Sequence, residues 1–292
     1  MKELLVISGK GGTGKTSITA ALAALAPNKV LVDLDVDAPD LHLLLQPEAE
    51  HEEVFISGNL AQVRPGDCTA CGECVQLCQF GAISQSGSEP ARVNPDNCEG
   101  CKLCVAMCPV QAIDFPSRQC GNWFVSRTRL GAMVHAQLYP GAENSGRLVS
   151  LLRQKARDIA QERGLDLILC DGTPGIGCPV ISSLSAVDLA LVVTEPTPSG
   201  EHDLLRVLEL CHHFKVPAEV MVNKADLNPS MTSRLERLSQ SNGHGFWGGL
   251  DFDSDFVEAM VQGRIINEFK PQGATAQALA RLWEHLQGRL VG

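Results

Sequence analysis

The stretch SGKGGTGKTS, Ser8 to Ser17, sets lysines and hydroxyls among glycines, and the chemistry it suits is phosphate binding. Glycines leave backbone N–H groups free to wrap an anion, and a helix that starts there adds the positive end of its dipole. Gly9, Gly14, Lys15 and Thr16 match G-x-x-x-x-G-K-[ST], in which the lysine meets the outer phosphates and the hydroxyl holds Mg²⁺. Gly11, Gly12, Thr13 and Ser17 fill out the cradle. Gly9, Gly11 and Gly14 also satisfy the dinucleotide pattern G-x-G-x-x-G, with Asp33 about twenty residues further on. A dinucleotide turn needs neither the cation nor the hydroxyl of Lys15-Thr16, whereas a triphosphate with Mg²⁺ needs both, so the phosphate loop is the preferred reading.

Cysteine supplies a second chemistry. Of twelve cysteines, eight form two copies of one array, Cys68-x-x-Cys71-x-x-Cys74-x-x-x-Cys78 and Cys98-x-x-Cys101-x-x-Cys104-x-x-x-Cys108. Matching tails, Gln79 to Ile83 and Pro109 to Ile113, extend the repeat. Such density in a chain with no secretory leader points to metal ligation rather than disulfides. Zinc ribbons would join C-x-x-C pairs from distant segments, which two triplet-plus-one arrays fit poorly. A third chemistry is acidic: Asp33, Asp35, Asp37 and Asp40 follow the apolar run from Lys29, and Asp171 closes the run from Leu165. Carboxylates at the carboxyl ends of parallel strands can hold Mg²⁺ or align an attacking water. Asp37 and Asp40 read equally well as helix caps or solvated loop charges.

These groups need a scaffold, and apolar runs supply it. Leu4 to Ile7 reads as a buried strand ahead of the glycine loop, with a helical run from Ile18 to Ala26 after it. Further strands are expected at 29–34, 165–170, 187–194 and 218–222, an edge strand at 54–63, and two more around Gly131, at 122–125 and 132–138. Glu143-Asn144-Ser145-Gly146 is expected to cap an amphipathic helix ending at Arg163. Other helices are expected from Pro198 to His213, where His212 and His213 read as surface residues, and at 230–239, 255–263 and 275–290. The last shows one apolar stripe, Ala278, Leu282, Leu286 and Leu290. The chain has 292 residues and a net charge of −10, which argues against general affinity for nucleic acid or anionic lipid. No run is long enough to span a membrane, and Met1-Lys2-Glu3 leads straight into a strand, so a cytoplasmic location is expected.

With Lys10 ahead of Gly11-Gly12-Thr13-Gly14-Lys15, the loop resembles that of the MinD, Mrp and nitrogenase iron protein class of P-loop ATPases, whose KGGxGK[ST] motif carries a signature lysine. The resemblance implies that Lys10 reaches the phosphates of a facing subunit in a nucleotide-sandwich dimer, either a homodimer or a heterodimer with a paralogue. It makes Asp35, second in D-x-D, the residue that orients water or sits beside Mg²⁺. Asp171, with Gly172 to Pro179 behind it, would be the second Mg²⁺ element and switch II. Asn223-Lys224-Ala225-Asp226 matches N-K-x-D, in which GTPases read guanine through the aspartate and this class contacts adenine through the asparagine. Lys10 favours ATP.

The cysteine arrays resemble bacterial two-cluster ferredoxins. That implies two [4Fe-4S] clusters, one on Cys68, Cys71, Cys74 and Cys108, the other on Cys98, Cys101, Cys104 and Cys78. Gln79 departs from the pattern, where proline is usual; Pro109 keeps it. In the iron protein and Mrp carriers, cysteines at the dimer face hold a bridging cluster, which makes Cys178 a candidate ligand for a third. Neither relative's cysteine spacing is present, however, and cysteine is often a small buried apolar residue. Together the resemblances imply an α/β protein: a doubly wound, mostly parallel P-loop NTPase sheet in segments 1–64 and 117–292, with a small α+β ferredoxin-like module at 65–116. Three functions are compatible: ATP-gated electron transfer to a redox partner, an ATP-dependent carrier or scaffold for iron–sulfur or other metal cofactors, and a ParA/MinD-type positioning ATPase, which has no use for redox centres. MinD proteins end in a basic membrane-binding helix; the mixed charge of 275–290 reads instead as a packing element.

Overall fold

The computed structural model describes residues 1–142 and 146–291. In chain order its strands are β1 (Lys2–Ile7), β2 (Lys29–Asp33), β3 (Glu48–Asn59), β4 (Gln62–Val63), β5 (Ile83–Ser84), β6 (Arg92–Val93), β7 (Ile113–Asp114), β8 (Ser117–Thr128), β9 (Gly131–Leu138), β10 (Leu167–Asp171), β11 (Leu189–Thr194), β12 (Ala218–Asn223) and β13 (Gly245–Leu250). The helices are α1 (Lys15–Leu25), α2 (Leu41–Leu45), α3 (Glu73–Leu77), α4 (Leu103–Ala106), α5 (Arg147–Arg163), α6 (Cys178–Leu184), α7 (Pro198–His213), α8 (Pro229–Ser241), α9 (Asp255–Val261), α10 (Ile266–Phe269) and α11 (Ala274–Val291).

A nine-stranded sheet runs in the order β13-β12-β11-β1-β10-β2-β9-β8-β3. Its strands from β13 to β9 pair in parallel. The central ones are continuous apolar runs with scarcely a polar residue, because helices cover both faces and no side of the strand meets water. After β1 the chain crosses through α1 to β2 on one side, and β11 later lies on the other. The loop following β1 therefore sits where strand order reverses, which is where such sheets bind ligands. The fold is α/β: a doubly wound, mostly parallel P-loop NTPase sheet with a small inserted α+β module.

The chain forms two compact units, one from Met1–Glu53, Trp123–Gln137 and Asn144–Gly292, the other from Val54–Asn122 and Leu138–Glu143. In the second unit β4 pairs antiparallel with β7, and β5 with β6. Ala61, Ile83, Ala91, Cys104 and Ile113 form its core, with more cysteines packed around them. So small an apolar core stabilises little by itself.

Several expectations change here. β13 was not foreseen: GFWGGL lacks an apolar alternation, and its register against β12 shifts between Val220 and Met221. Short α6 and α10 were also not foreseen. The expected cap at 143–145 lies outside the described residues. In α11 the buried positions include Leu279 and Trp283 besides Leu282, Leu286 and Leu290, a wider face than the stripe through Ala278. That face joins the core with Ile18, Ala21 and Leu22 of α1, so the helix is a packing element. No described helix is long and apolar enough to cross a membrane. At the start of β1, Glu3 is 4% exposed and is held by Arg153 Nε at 2.5 Å and Arg157 Nη2 at 2.8 Å.

Candidate functional site

Helix α1 starts at Lys15 with Gly14 before it and no side chain capping its first turn, so its leading N–H groups are free for an anion. Gly14 has φ +87°, and an added Cβ would lie 2.5 Å from Asn223 Nδ2, so glycine is required on both counts. Asn223 itself donates to the Thr13 carbonyl at 2.8 Å, bracing the loop from the end of β12. Thr13 Oγ1 is buried with no hydrogen-bond partner. Gly9 is pressed against α7, with Asp203 Cβ 2.5 Å from where its own Cβ would stand. Gly11, Gly12, Gly14, Lys15, Thr16 and Ser17 line a cleft of about 510 Å³, together with Asp35 and Pro174.

At the floor of the cleft, carboxylates surround one lysine. Lys15 Nζ lies 3.0 Å from Asp171 Oδ1 and 3.6 Å from Asp35 Oδ2. Thr16 and Thr19 hydroxyls donate to Asp171 at 2.7 and 2.8 Å. Asp171 is fully buried, and Asp33 nearly so, accepting from the Asp35 and Leu41 amides. Burial and then the Asp171 charge push the Asp33 carboxyl well above the usual range. Burial also raises Asp35, to about 6, with Lys15 opposing the rise. Burial acts to lower Lys15, but the charges of Asp171, Asp35 and Asp33 outweigh it and leave the ammonium above its ordinary value. Asp37 and Asp40 are exposed, and Asp40 makes no side-chain cap on α2. Sequence reasoning did not single out Thr19; one turn beyond Thr16, it sits on the same helix face.

Lys10 is not a free loop cation. Its Nζ is 3.2 Å from Glu195 Oε2 and 3.3 Å from Ser199 Oγ. Glu195, at the end of β11, also takes Lys224 Nζ at 2.5 Å. Burial opposes ionisation of Glu195, yet the two lysine bonds more than offset it and hold its pKa below the ordinary value. No motif flagged Glu195. Beside the loop, Asn223, Lys224, Phe252, Phe256 and Met260 line an apolar recess. Asp226 does not line it; its Oδ1 accepts from the Phe252 amide at 2.6 Å. The glycine-rich segment after Asp171 is tied to the loop strand, Gly172 N to Val6 O at 2.8 Å and Gly175 N to Ser8 O at 2.9 Å. It ends at Cys178, which is exposed at the start of α6 and so is not the buried apolar residue of the alternative reading. Cys120, Cys170 and Cys211 are buried.

In the second unit the eight repeat cysteines ring two hollows. One is lined by Cys68, Cys71, Cys74 and Cys108, the other by Cys78, Cys98, Cys101 and Cys104. Each long-range member, Cys108 or Cys78, crosses to the hollow of the other half. Its sulfur accepts a backbone N–H at 3.3 Å, from Ala112 or Ala82. Burial and the neighbouring thiols push Cys74 and Cys104 up, a cost that a cationic centre would remove. Among the described residues no three ligating side chains converge as they must on a single ion. Tetrahedral zinc would draw its sulfurs to about 3.8 Å apart. Four cysteines around each hollow are the donor set that an iron–sulfur cube takes.

Residues 61–115 match the family model of a 4Fe-4S dicluster domain. Over 229 residues the chain is 37% identical to "Uncharacterized protein MJ0578" of Methanocaldococcus jannaschii, covering 77% of this chain and 79% of that one. A second protein of that organism, MJ0579, is 25% identical over 232 residues, 77% and 81% of the two chains. Among solved structures, the Pyrococcus furiosus cell division ATPase MinD superposes with a TM-score of 0.58 over 98% of both chains, at 18% identity. The Pyrococcus horikoshii septum site-determining protein MinD, complexed with Mg-ADP, gives 0.58 at 17% identity over 98% and 95%. At such identities the likeness is one of fold.

Proposed function

The chain belongs to the family of Methanocaldococcus jannaschii MJ0578, and we propose that it is an ATP-hydrolysing switch that carries two resident [4Fe-4S] clusters and serves a partner protein in assembling or carrying a metal cofactor. One observation carries the reading: a fully built phosphate cradle and two complete four-cysteine rings lie in a single chain. When bound, the clusters supply single electrons with little rearrangement of their ligands. Everything else falls to the protein's own residues. The α1 amides and Lys15 take the phosphates, and Thr16 with Asp171 holds Mg²⁺. Asp35, with a pKa near neutrality, orients the attacking water and is able to accept its proton as the γ-phosphate leaves. Lys10 exchanges Glu195 for the phosphates of the facing subunit, closing a dimer. Gly172 to Gly177 follow Asp171 and, being tied to the loop strand, move with the state of the nucleotide.

Cys178 favours cofactor handling: it is a solvent-open thiol at the end of that segment, outside both rings. Two such thiols from paired subunits would give an exchangeable ligand set. A second reading, ATP-gated electron delivery with no cofactor passed on, is favoured by the saturated rings, which leave the resident clusters no open ligand position. Anaerobic isolation, with iron counted per chain and ATP turnover measured, tests the common part. Adding an apo-acceptor then separates the two. Loss of a labile cluster from wild type but not from Cys178→Ser supports cofactor handling; clusters that change oxidation state with ATP and never leave support electron delivery. Iron at background, or turnover unchanged in Lys15→Ala, overturns both.

A further inference from the structure

The two cysteine rings come from one repeated motif, so any difference between matched positions is a difference in what surrounds each centre. Between the second and third cysteines, the first half has Gly72-Glu73 and the second has Lys102-Leu103. Gly72 sits at φ +79°, and its counterpart Lys102 at φ +66°. Glycine adopts that left-handed backbone freely; lysine does so only at a cost. At the neighbouring matched pair the halves trade places, with Ala70 at φ +56° against Gly100 at φ +62°, so each half holds one side chain on left-handed backbone and only that of the second half is charged.

The cation is also held. Lys102 Nζ stands 5.9 Å from the centre of the Phe115 ring, and Phe115 and Lys102 both line the hollow of Cys78, Cys98, Cys101 and Cys104. The matched change at the next position acts in the same direction. Glu73 lines the hollow of the first three cysteines, while Leu103 lines the other. Glu99 also lines the second hollow and cancels part of the effect, yet matched positions still leave that ring about one positive charge ahead. Cys104 is buried, whereas its counterpart Cys74 is only partly so, and this burial opposes added negative charge, leaving the lysine to outweigh it.

Resting on the iron–sulfur reading above, we propose that Lys102 makes the two centres unequal, so that an electron supplied by an external one-electron donor settles on the cluster held by Cys98, Cys101, Cys104 and Cys78. Net charge and hydrogen bonding around a cluster set its potential, and a nearby cation favours the reduced form. The transfer balances simply: the external donor loses one electron, the cluster on Cys98, Cys101, Cys104 and Cys78 gains it, and no bond or proton is exchanged. Lys102 acts here as a positioning charge, not a catalytic residue.

The test is an EPR-monitored redox titration of the full chain isolated without oxygen. Wild type should show two separate midpoints. Lys102→Gly restores the backbone-compatible residue of the other half, so it should fold at least as well. It should lower the higher midpoint alone, shifting the electron's distribution about threefold, which at about 59 mV per tenfold is about 28 mV. Lys102→Met, similar in length but uncharged, should do the same. Gly72→Lys, where an added Cβ has room, its nearest neighbour Gln85 Oε1 lying 3.6 Å away, should raise the lower midpoint. Movement of the lower midpoint in Lys102→Gly, no movement of either, or a shift in Lys102→Gly that Lys102→Met lacks would each overturn the assignment. Absence of cluster signals from wild type would instead sink the iron–sulfur reading, which the iron count reports separately.

Discussion

Removing Asp35, the residue proposed to align the attacking water, should make the resting protein more stable. Its side chain is 13% exposed and lies 3.6 Å from Lys15 Nζ, and burial lifts its pKa to about 6 in spite of that lysine. In an unfolded chain the value is about 3.9. Because the folded state binds this proton more tightly, the carboxyl costs nothing below about pH 4. It becomes progressively destabilising as pH climbs from about 4 to about 6, and the full cost persists above that. A gap of about two units corresponds to at most about 3 kcal/mol at 1.36 kcal/mol per unit. That figure already includes the opposing pull of Lys15, and solvent screening reduces the gain expected of Asp35→Asn to about 1–2 kcal/mol at neutral pH. For a chain of this size that is a rise of about 2–6 °C in Tm. The assay is a thermal melt of anaerobically isolated protein, free of nucleotide and Mg²⁺, at a fixed scan rate, since unfolding of a cluster protein is not reversible. At about pH 5 the advantage should fall to about half of its value at about pH 7.5. Mg-ATP should stabilise wild type more than the variant, and the variant should not turn over. A variant that melts lower at about pH 7.5, or a gain that ignores pH, would show that the carboxyl is not strained by burial and would refute its role as a near-neutral base.

Lys10→Ala should bind ATP within a few-fold of wild type but lose ATP-dependent dimerisation by light scattering, with turnover reduced about 10²-fold or more. Glu3→Ala strands the buried Arg153 guanidinium and should cost about 3–5 kcal/mol in urea unfolding, while leaving the KM for ATP unchanged. Cys104→Ala should remove about half the iron and one of the two EPR signals, because it opens one ring and leaves the other complete.

The parallel core was legible because strands such as Leu4 to Ile7 and Leu189 to Thr194 are apolar without interruption, a pattern that few other settings produce. β13 was not, because Gly245, Gly248 and Gly249 erase the alternation and the strand is held by pairing with β12 rather than by its own propensity. At the site, motif spacing picked out candidate ligand-binding residues but not the partners that hold them in place. Thr19 and Glu195 belong to no motif; each is visible only once β10 and β11 set Asp171 and Glu195 beside the loop. N-K-x-D shows the opposite failure. The string was found, yet the Asp226 carboxylate is spent on the Phe252 amide, so the motif's presence does not carry the guanine contact with it. The eight repeat cysteines line two hollows, with Cys108 beside Cys68, Cys71 and Cys74 and Cys78 beside Cys98, Cys101 and Cys104; the ferredoxin resemblance implies the same grouping.

The charges at the cleft are balanced within the chain, and that constrains what can enter. Lys15 is paired with Asp171 and Asp35, and Lys10 with Glu195. Phosphates arriving alone would draw Lys15 away and be left facing the carboxyl groups of Asp33, Asp35 and Asp171. Mg²⁺ arriving alone would compete with an ammonium already inside the ring and meet no three-ligand cage among the described residues. Arriving together they would exchange partners: phosphate would take the place of carboxylate around the lysines, and Asp171 and Thr16 would hold Mg²⁺ where the lysine now stands. Each half of the exchange removes the penalty created by the other, so nucleotide and metal bind as one ligand. The same logic extends to Lys10, whose release from Glu195 is compensated only when phosphates of a facing subunit are there to receive it. In the proposed dimer, closure would thereby be tied to a site that is already filled.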